Sequence, residues 1–243
     1  MKIGLNTKNY IELNLKDLNQ RDLVLIFPGG AYLYTSNREG EPVSDLFLAD
    51  GYHTAIYYYR ETLLIYPEIL AEGEHVLKLL KENPLVNRIF LIGFSAGGHL
   101  AGLLMTRNSE LVSATILAYP VITSNPKFFH ESSIKNLLGH EITQAKLDEV
   151  SIEKHITPQV SPVFIMHTAD DKSVPVENSL LLIDALRLNH VPIEFHLYQT
   201  GRHGLSIASR NVAFDDMDSD DFVTKYGYIS GWIELAKNFI KRV

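Results

Sequence analysis

The sequence predicts an α/β fold: a mainly parallel sheet of about eight strands with helices on both faces. Three observations lead there. Short, continuous apolar runs such as Leu23 to Phe27 and Ala114 to Tyr119 suit strands buried on both sides. These runs alternate with helical patterns, as parallel crossover units do. Finally, Arg88 to Ile92 leads through Gly93-Phe94-Ser95-Ala96-Gly97 into a helix-forming run, which sets a serine at the apex of a strand–turn–helix.

The elements follow in order. Tyr10 to Lys16 alternates apolar and polar residues, as an early antiparallel strand with one solvated face would. Leu23 to Phe27 is the first buried strand, and Pro28-Gly29-Gly30 ends it. Pro42 to Asp50 has helical spacing, with Gly51 placed to stop it. Tyr52 to Tyr59 is aromatic and β-branched, hence a strand. Pro67 to Glu82 repeats apolar residues near a 3.6 period behind an initial proline. The serine turn then joins a strand over 88–92 to a helix over 96–106, and Ala114 to Tyr119 is the next buried strand. Residues 123–158 break the rhythm and read as a small insertion, a lid above the sheet edge, with two short helical patterns. Val163 to Met166 resumes as a strand, Val176 to Leu188 as a helix and Pro192 to Tyr198 as the last strand. Tyr226 to Ile240 reads as one final amphipathic helix carrying the only tryptophan, Trp232. Without repeat, linker or low-complexity tract, residues 1–243 are expected to form a single domain.

Composition narrows the functional classes. The chain has 243 residues, 46% of them hydrophobic and 21% charged, an ordinary soluble balance. A chain of this size buries roughly 70–75% of its unfolded surface. It has no cysteine, so disulfides and thiolate metal sites are excluded. A net charge of −7 without a basic patch argues against a nucleic-acid partner. No stretch is long enough to span a bilayer, and the first residues lack the apolar core of an export signal. The expectation is a cytoplasmic enzyme acting on a small molecule, with no membrane partner and with a homodimer allowed for.

The chemistry follows from the serine. A hydroxyl becomes nucleophilic only when a base takes its proton and a third group fixes the base's tautomer. After the strand at 163–166 comes His167-Thr-Ala-Asp170-Asp171, and after the strand at 192–198 comes Gly201-Arg-His203-Gly204. The order serine, acid, histidine is the one such turns accompany. Among ten histidines only His203 follows the last strand. Asp171 suits the acid better than Asp170, since it stands three residues before Val174-Pro175; Asp170 is left to cap the turn. Catalytic roles are therefore expected for Ser95, Asp171 and His203. The backbone amides of Gly30, Ala31 and Ala96 are expected to form an oxyanion hole. Tyr32, Tyr119, Phe128 and Phe129 are candidates to narrow the substrate pocket. His99, on the helix after the serine, lies close enough to approach the site. No metal or other cofactor is expected: His140-Glu141 is followed by Gln144 where a second histidine would be needed, and no phosphate-binding glycine loop occurs.

With these motifs in place the chain resembles the α/β-hydrolase esterases related to hormone-sensitive lipase. The resemblance is closest to acetyl-xylan esterases and deacetylase/feruloyl-esterase-like carbohydrate esterases. It rests on Phe27-Pro-Gly-Gly-Ala-Tyr32, Tyr58-Tyr-Arg60, Gly93-Phe-Ser-Ala-Gly-Gly-His-Leu100, Ala118-Tyr-Pro-Val121, the segment from His167 to Ser179, and Gly201-Arg-His-Gly204. Pro28 departs from the histidine that lipase relatives carry before the glycines. The resemblance implies a cofactor-free serine carboxylesterase for short acyl, chiefly acetyl, esters, with small sugars as a plausible alcohol side. The alternatives are a general carboxylesterase, a prolyl-oligopeptidase-like peptidase, which would normally carry a large gating domain, or a binding protein that kept the fold and lost the chemistry.

Overall fold

A computed structural model describes residues 1–243. Eight strands form one sheet: β1 (Lys2–Gly4), β2 (Tyr10–Asn14), β3 (Arg21–Phe27), β4 (His53–Tyr58), β5 (Val86–Phe94), β6 (Ala114–Ala118), β7 (Val163–Thr168) and β8 (Ile193–Tyr198). Their spatial order is β1-β2-β4-β3-β5-β6-β7-β8. The first two strands run antiparallel, and every pairing from β4–β3 to β7–β8 is parallel. This is the α/β-hydrolase fold that the sequence predicts, with the short β1 as an additional edge strand.

Both faces of the sheet are covered, which explains why the central strands read as unbroken apolar runs. Leu23, Leu25 and Phe27 of β3 join one core, and Val24 and Ile26, pointing the other way, join the second. The first core is closed by α2 (Glu68–Lys81), α3 (Ser95–Arg107) and α6 (Glu177–Leu188). The second is closed by α1 (Glu41–Ala49), α7 (Ser219–Tyr226) and α8 (Trp232–Ile240). No helix is long and apolar enough to cross a membrane.

One expectation is corrected. The C-terminal helix does not run unbroken from Tyr226: α7 ends there, a 3-10 turn spans Gly227–Ile229, and α8 begins only at Trp232. Glycines at 227 and 231 weaken the helix at the break, and the bend carries Trp232 into the core, where Nε1 donates to the Ser206 carbonyl at 3.0 Å. The insertion over 123–158 contains two short helices, as expected, α4 (Glu131–Leu138) and α5 (Gln144–Glu149), and it is docked on the body of the protein. Ile134, Leu137, Leu138, Val150 and Ile152 are part of the first core.

His99 fastens that insertion. It is fully buried; Nε2 donates to the Val150 carbonyl at 2.7 Å, which leaves Nδ1 to accept from the Tyr32 hydroxyl at 2.8 Å. Burial lowers its pKa from 6.5 to about 4. A depressed histidine is neutral when folded, so on acidification the unfolded chain takes up the proton first. The contribution of His99 to stability is therefore fully present above pH 6.5 and is lost between 6.5 and about 4. The loss amounts to about 3 kcal/mol. Urea unfolding at pH 7 and pH 5 is expected to show a smaller stability difference in His99→Gln than in the wild type; an identical difference would contradict a neutral buried His99.

Candidate active site

The site is built at the carboxyl ends of the parallel strands. Strand β5 passes directly into α3 at Ser95, whose φ is +53°, a left-handed conformation that costs a non-glycine residue strain. The turn is held by close backbone contact. A Cβ on Gly97 would lie 2.1 Å from the Phe27 carbonyl oxygen, and one on Gly93 would lie 2.6 Å from the Gly98 Cα. Glycine at both positions lets the helix start against the end of β3. Ser95 itself is buried to 6% exposure, with its hydroxyl at the floor of a cleft of about 200 Å³.

Three loops converge on that hydroxyl. His203 Nε2 lies 2.8 Å from Ser95 Oγ, and His203 Nδ1 lies 2.6 Å from Asp171 Oδ2. Asp171 Oδ1 accepts from the amides of Ser173 and Val174 at 2.8 and 3.0 Å, which fixes the carboxylate's orientation. Burial opposes its ionisation, but hydrogen bonds from His167, His203 and the Ser173 amide prevail and hold the carboxyl well below the usual range. An ionised Asp171 keeps the proton on Nδ1 and leaves Nε2 free to accept from the serine. Asp170 lies outside this chain. Its carboxylate accepts from the Gly201 amide at 2.7 Å and the Thr200 hydroxyl at 2.6 Å, so it ties the β7 loop to the histidine loop rather than capping its own turn.

The loop after β3 forms the opposite wall. Gly30 has φ +129°, and a Cβ there would meet the Tyr34 carbonyl oxygen at 2.1 Å. Ala31 and Tyr32 follow at φ +54° and +57°. The amides of Gly30 and Ala31 donate to no protein group, and both residues line the cleft. Ala96 stands in the first turn of α3, where amides have no intrahelical acceptor. These are the three amides that the sequence reading offers as oxyanion donors.

The four aromatic candidates fall elsewhere. Tyr32 is fully buried with its hydroxyl on His99, and Tyr119 is 2% exposed with its hydroxyl on Glu39 at 2.7 Å. Tyr119 packs edge-on beneath His203, with ring centroids 5.1 Å apart, so it supports the histidine rather than lining the cleft. Neither Phe128 nor Phe129 lines the cleft, and Phe129 packs against the first core. The cleft walls instead include Tyr34, Ser36, Arg38, Glu39, His130 and Ser173. Of the insertion's polar residues, Ser124 is buried and bonded to Ser151 and the Leu147 carbonyl, and Glu131 pairs with Lys135 in solvent. Only His130 of these reaches the cleft. Burial lowers its pKa, as does its proximity to His203. Arg38 and Glu39 were missed in the sequence; a charged pair eight residues after Gly30, before the next helix, was the one signal available.

The comparisons agree with this architecture. The model of the prolyl oligopeptidase family matches residues 74–226. Endo-1,4-beta-xylanase B of Butyrivibrio fibrisolvens is 30% identical over 212 residues, 78% of this chain and 33% of that protein. Acetylxylan esterase of Xylanibacter ruminicola is 27% identical over 236 residues, 86% of this chain and 48% of that protein. The chain thus spans a third to a half of these curated relatives' lengths. Among solved structures, the acetyl ester-xyloside bifunctional hydrolase from Caldicellulosiruptor lactoaceticus superimposes with a TM-score of 0.84 at 31% identity, over 98% of this chain and 89% of that one. The resemblance to acetyl-xylan esterases is thus met by named relatives, and the family model carries the name of the peptidases that were the alternative reading. With the family model matched over well more than half its length, this α/β-hydrolase chain belongs to the prolyl oligopeptidase family.

Proposed function

We propose that the protein is a serine ester hydrolase that removes short acyl groups, chiefly acetyl, from small sugar esters. The observation that carries this reading is the hydrogen-bonded sequence Ser95–His203–Asp171 facing the unengaged amides of Gly30 and Ala31. In it, His203 Nε2 takes the hydroxyl proton as Ser95 Oγ attacks the ester carbonyl. The negative charge that develops on the carbonyl oxygen is met by the amides of Gly30, Ala31 and Ala96. The imidazolium, steadied by Asp171, then protonates the leaving alcohol. A water deprotonated by the same nitrogen cleaves the acyl-enzyme and restores the serine. The names of the relatives support the ester bond and the acetyl group, and the small cleft supports a short acyl chain. The peptidase reading is favoured by the family name alone, and turnover of dipeptide amides would establish it.

A fluorophosphonate probe is expected to label the wild-type chain and to leave Ser95→Ala unmodified; labelling that survives the substitution would exclude Ser95 as nucleophile. Asp171→Asn should lower kcat by about 10⁴-fold, because the neutral amide no longer holds the imidazole tautomer. Asp170→Asn, which only loosens the histidine loop, should be far milder. The opposite ranking would reassign the acid.

Substrate preference is tested with a p-nitrophenyl ester series and a panel of acetylated sugars. Acetate is expected to turn over faster than octanoate. Acetylated xylo-oligosaccharides or monosaccharides are expected to exceed simple alkyl acetates in kcat/KM, since polar groups built for sugar hydroxyls are left unpaired by analogues that lack them. Faster octanoate hydrolysis would remove the acetyl assignment, and equal use of ethyl acetate would remove the sugar.

A further inference from the structure

A second carboxylate lies beneath the site, and the mechanism above does not use it. Glu39 is 3% exposed and has no lysine or arginine within ion-pair distance. Its Oε2 accepts from the Gly29 amide at 2.7 Å, and its Oε1 accepts from the Tyr119 hydroxyl at 2.7 Å. The Tyr119 oxygen in turn accepts from the Ser206 amide at 2.8 Å, and its hydroxyl proton is directed to Glu39. Both carboxyl oxygens are therefore acceptors, as an ionised carboxylate requires. The Gly29 backbone lies directly on it: a Cβ there would come within 2.8 Å of Oε2 and 3.0 Å of the Ser95 Cβ.

The same short turn also grips the histidine loop. The Arg38 guanidinium donates to the carbonyls of Gly204 and Val212, and the Arg38 carbonyl accepts from the Ser206 hydroxyl at 2.6 Å. The oxyanion loop and the histidine loop thus meet at Arg38 and Glu39. A buried carboxylate without a cation is costly, and the cost is relieved when a neighbouring group becomes positive. During turnover His203 becomes positive when it takes the proton from Ser95, so on the alkaline side of the acid limb the relief falls on the transition state rather than on the resting enzyme.

We infer that Glu39 is a positioning residue that clamps the oxyanion loop to the histidine loop and supplies the imidazolium of His203 with a second negative charge. The inference rests on the ester-hydrolase reading for its effect on turnover. Burial pushes the Glu39 carboxyl up from its ordinary range, while the bonds from Tyr119 and Gly29 and the nearness of His203 and then of Arg38 pull it back. The other groups around His203 are Asp171 on Nδ1, with His167 behind it, His130 across the cleft and the Tyr119 ring below. Arg38 is bonded to the adjoining carbonyl, and Asp170, Lys172, Arg202 and Lys225 line the outer groove.

Glu39→Gln keeps the shape and removes the charge. The variant is expected to lower kcat on p-nitrophenyl acetate by about 10–100-fold with KM within about threefold. Its acid limb in kcat/KM should move to lower pH by about half a unit to one unit, because the imidazolium loses an anionic neighbour. An NMR titration of labelled His203 should show the same displacement without any substrate. A merely structural glutamate would leave that titration unmoved. Unchanged kcat together with an unchanged His203 titration would overturn the inference. If the wild type hydrolyses no ester, the ester reading fails, and the NMR titration still decides the charge coupling. If Glu39→Gln does not fold, Tyr119→Phe cuts the clamp while leaving the charge; wild-type kcat in that variant would refute the clamp.

Discussion

The helix that follows β5 begins almost in contact with the end of β3, and most of the site depends on that approach. Gly97 lies against the Phe27 and Pro28 carbonyl oxygens so tightly that any side chain at 97 would have to displace backbone. The approach forces Ser95 into a left-handed conformation and holds its hydroxyl clear of the sheet. It also leaves the amide of Ala96 in the first turn of the helix without an intrahelical acceptor. The Ser95 hydroxyl and the amides proposed as oxyanion donors are thus placed by one backbone contact. The strain at Ser95, Ala31, Tyr32 and Tyr119 is gathered at the same spot, as expected where surrounding packing overrides local preference.

The remaining parts are brought to this fixed point by longer connections. Asp171 is aimed by its own turn, through the Ser173 and Val174 amides. The histidine loop is less self-sufficient and is tied at several places: Asp170 at Gly201, Arg38 at Gly204, Tyr119 and Trp232 at Ser206. The bend between α7 and α8 therefore serves the site, since it carries the indole to that loop. His99 performs the corresponding task on the other wall by joining α3, the Tyr32 turn and the insertion.

Features with a local physical cause were legible in the sequence. The serine turn, the central strands and the order serine, aspartate, histidine all rest on neighbours a few residues apart. Asp171 could be preferred over Asp170 for the same reason, because Val174-Pro175 marks the turn that orients it. What escaped depends on partners distant along the chain. Tyr119 was read as a pocket residue, but its ring lies under a histidine 84 positions on and its hydroxyl bonds to a glutamate 80 positions back. Glu39 was not singled out because nothing near it in sequence shows that Gly29 and Tyr119 close over it. Helical periodicity continued across Gly227 and Gly231, so the break before Trp232 was visible only as two weak helix formers.

The central claim is that Ser95 and the amides of Gly30, Ala31 and Ala96 form one preset acyl-transfer site. The most direct measurement is a crystal structure of the chain after reaction with a small organophosphonate. The account predicts phosphorus bonded to Ser95 Oγ, its non-bridging oxygen within hydrogen-bond distance of those amides, and His203 still on Asp171. An adduct on another residue, or one on Ser95 whose oxygen points away from the glycine loop, would contradict it.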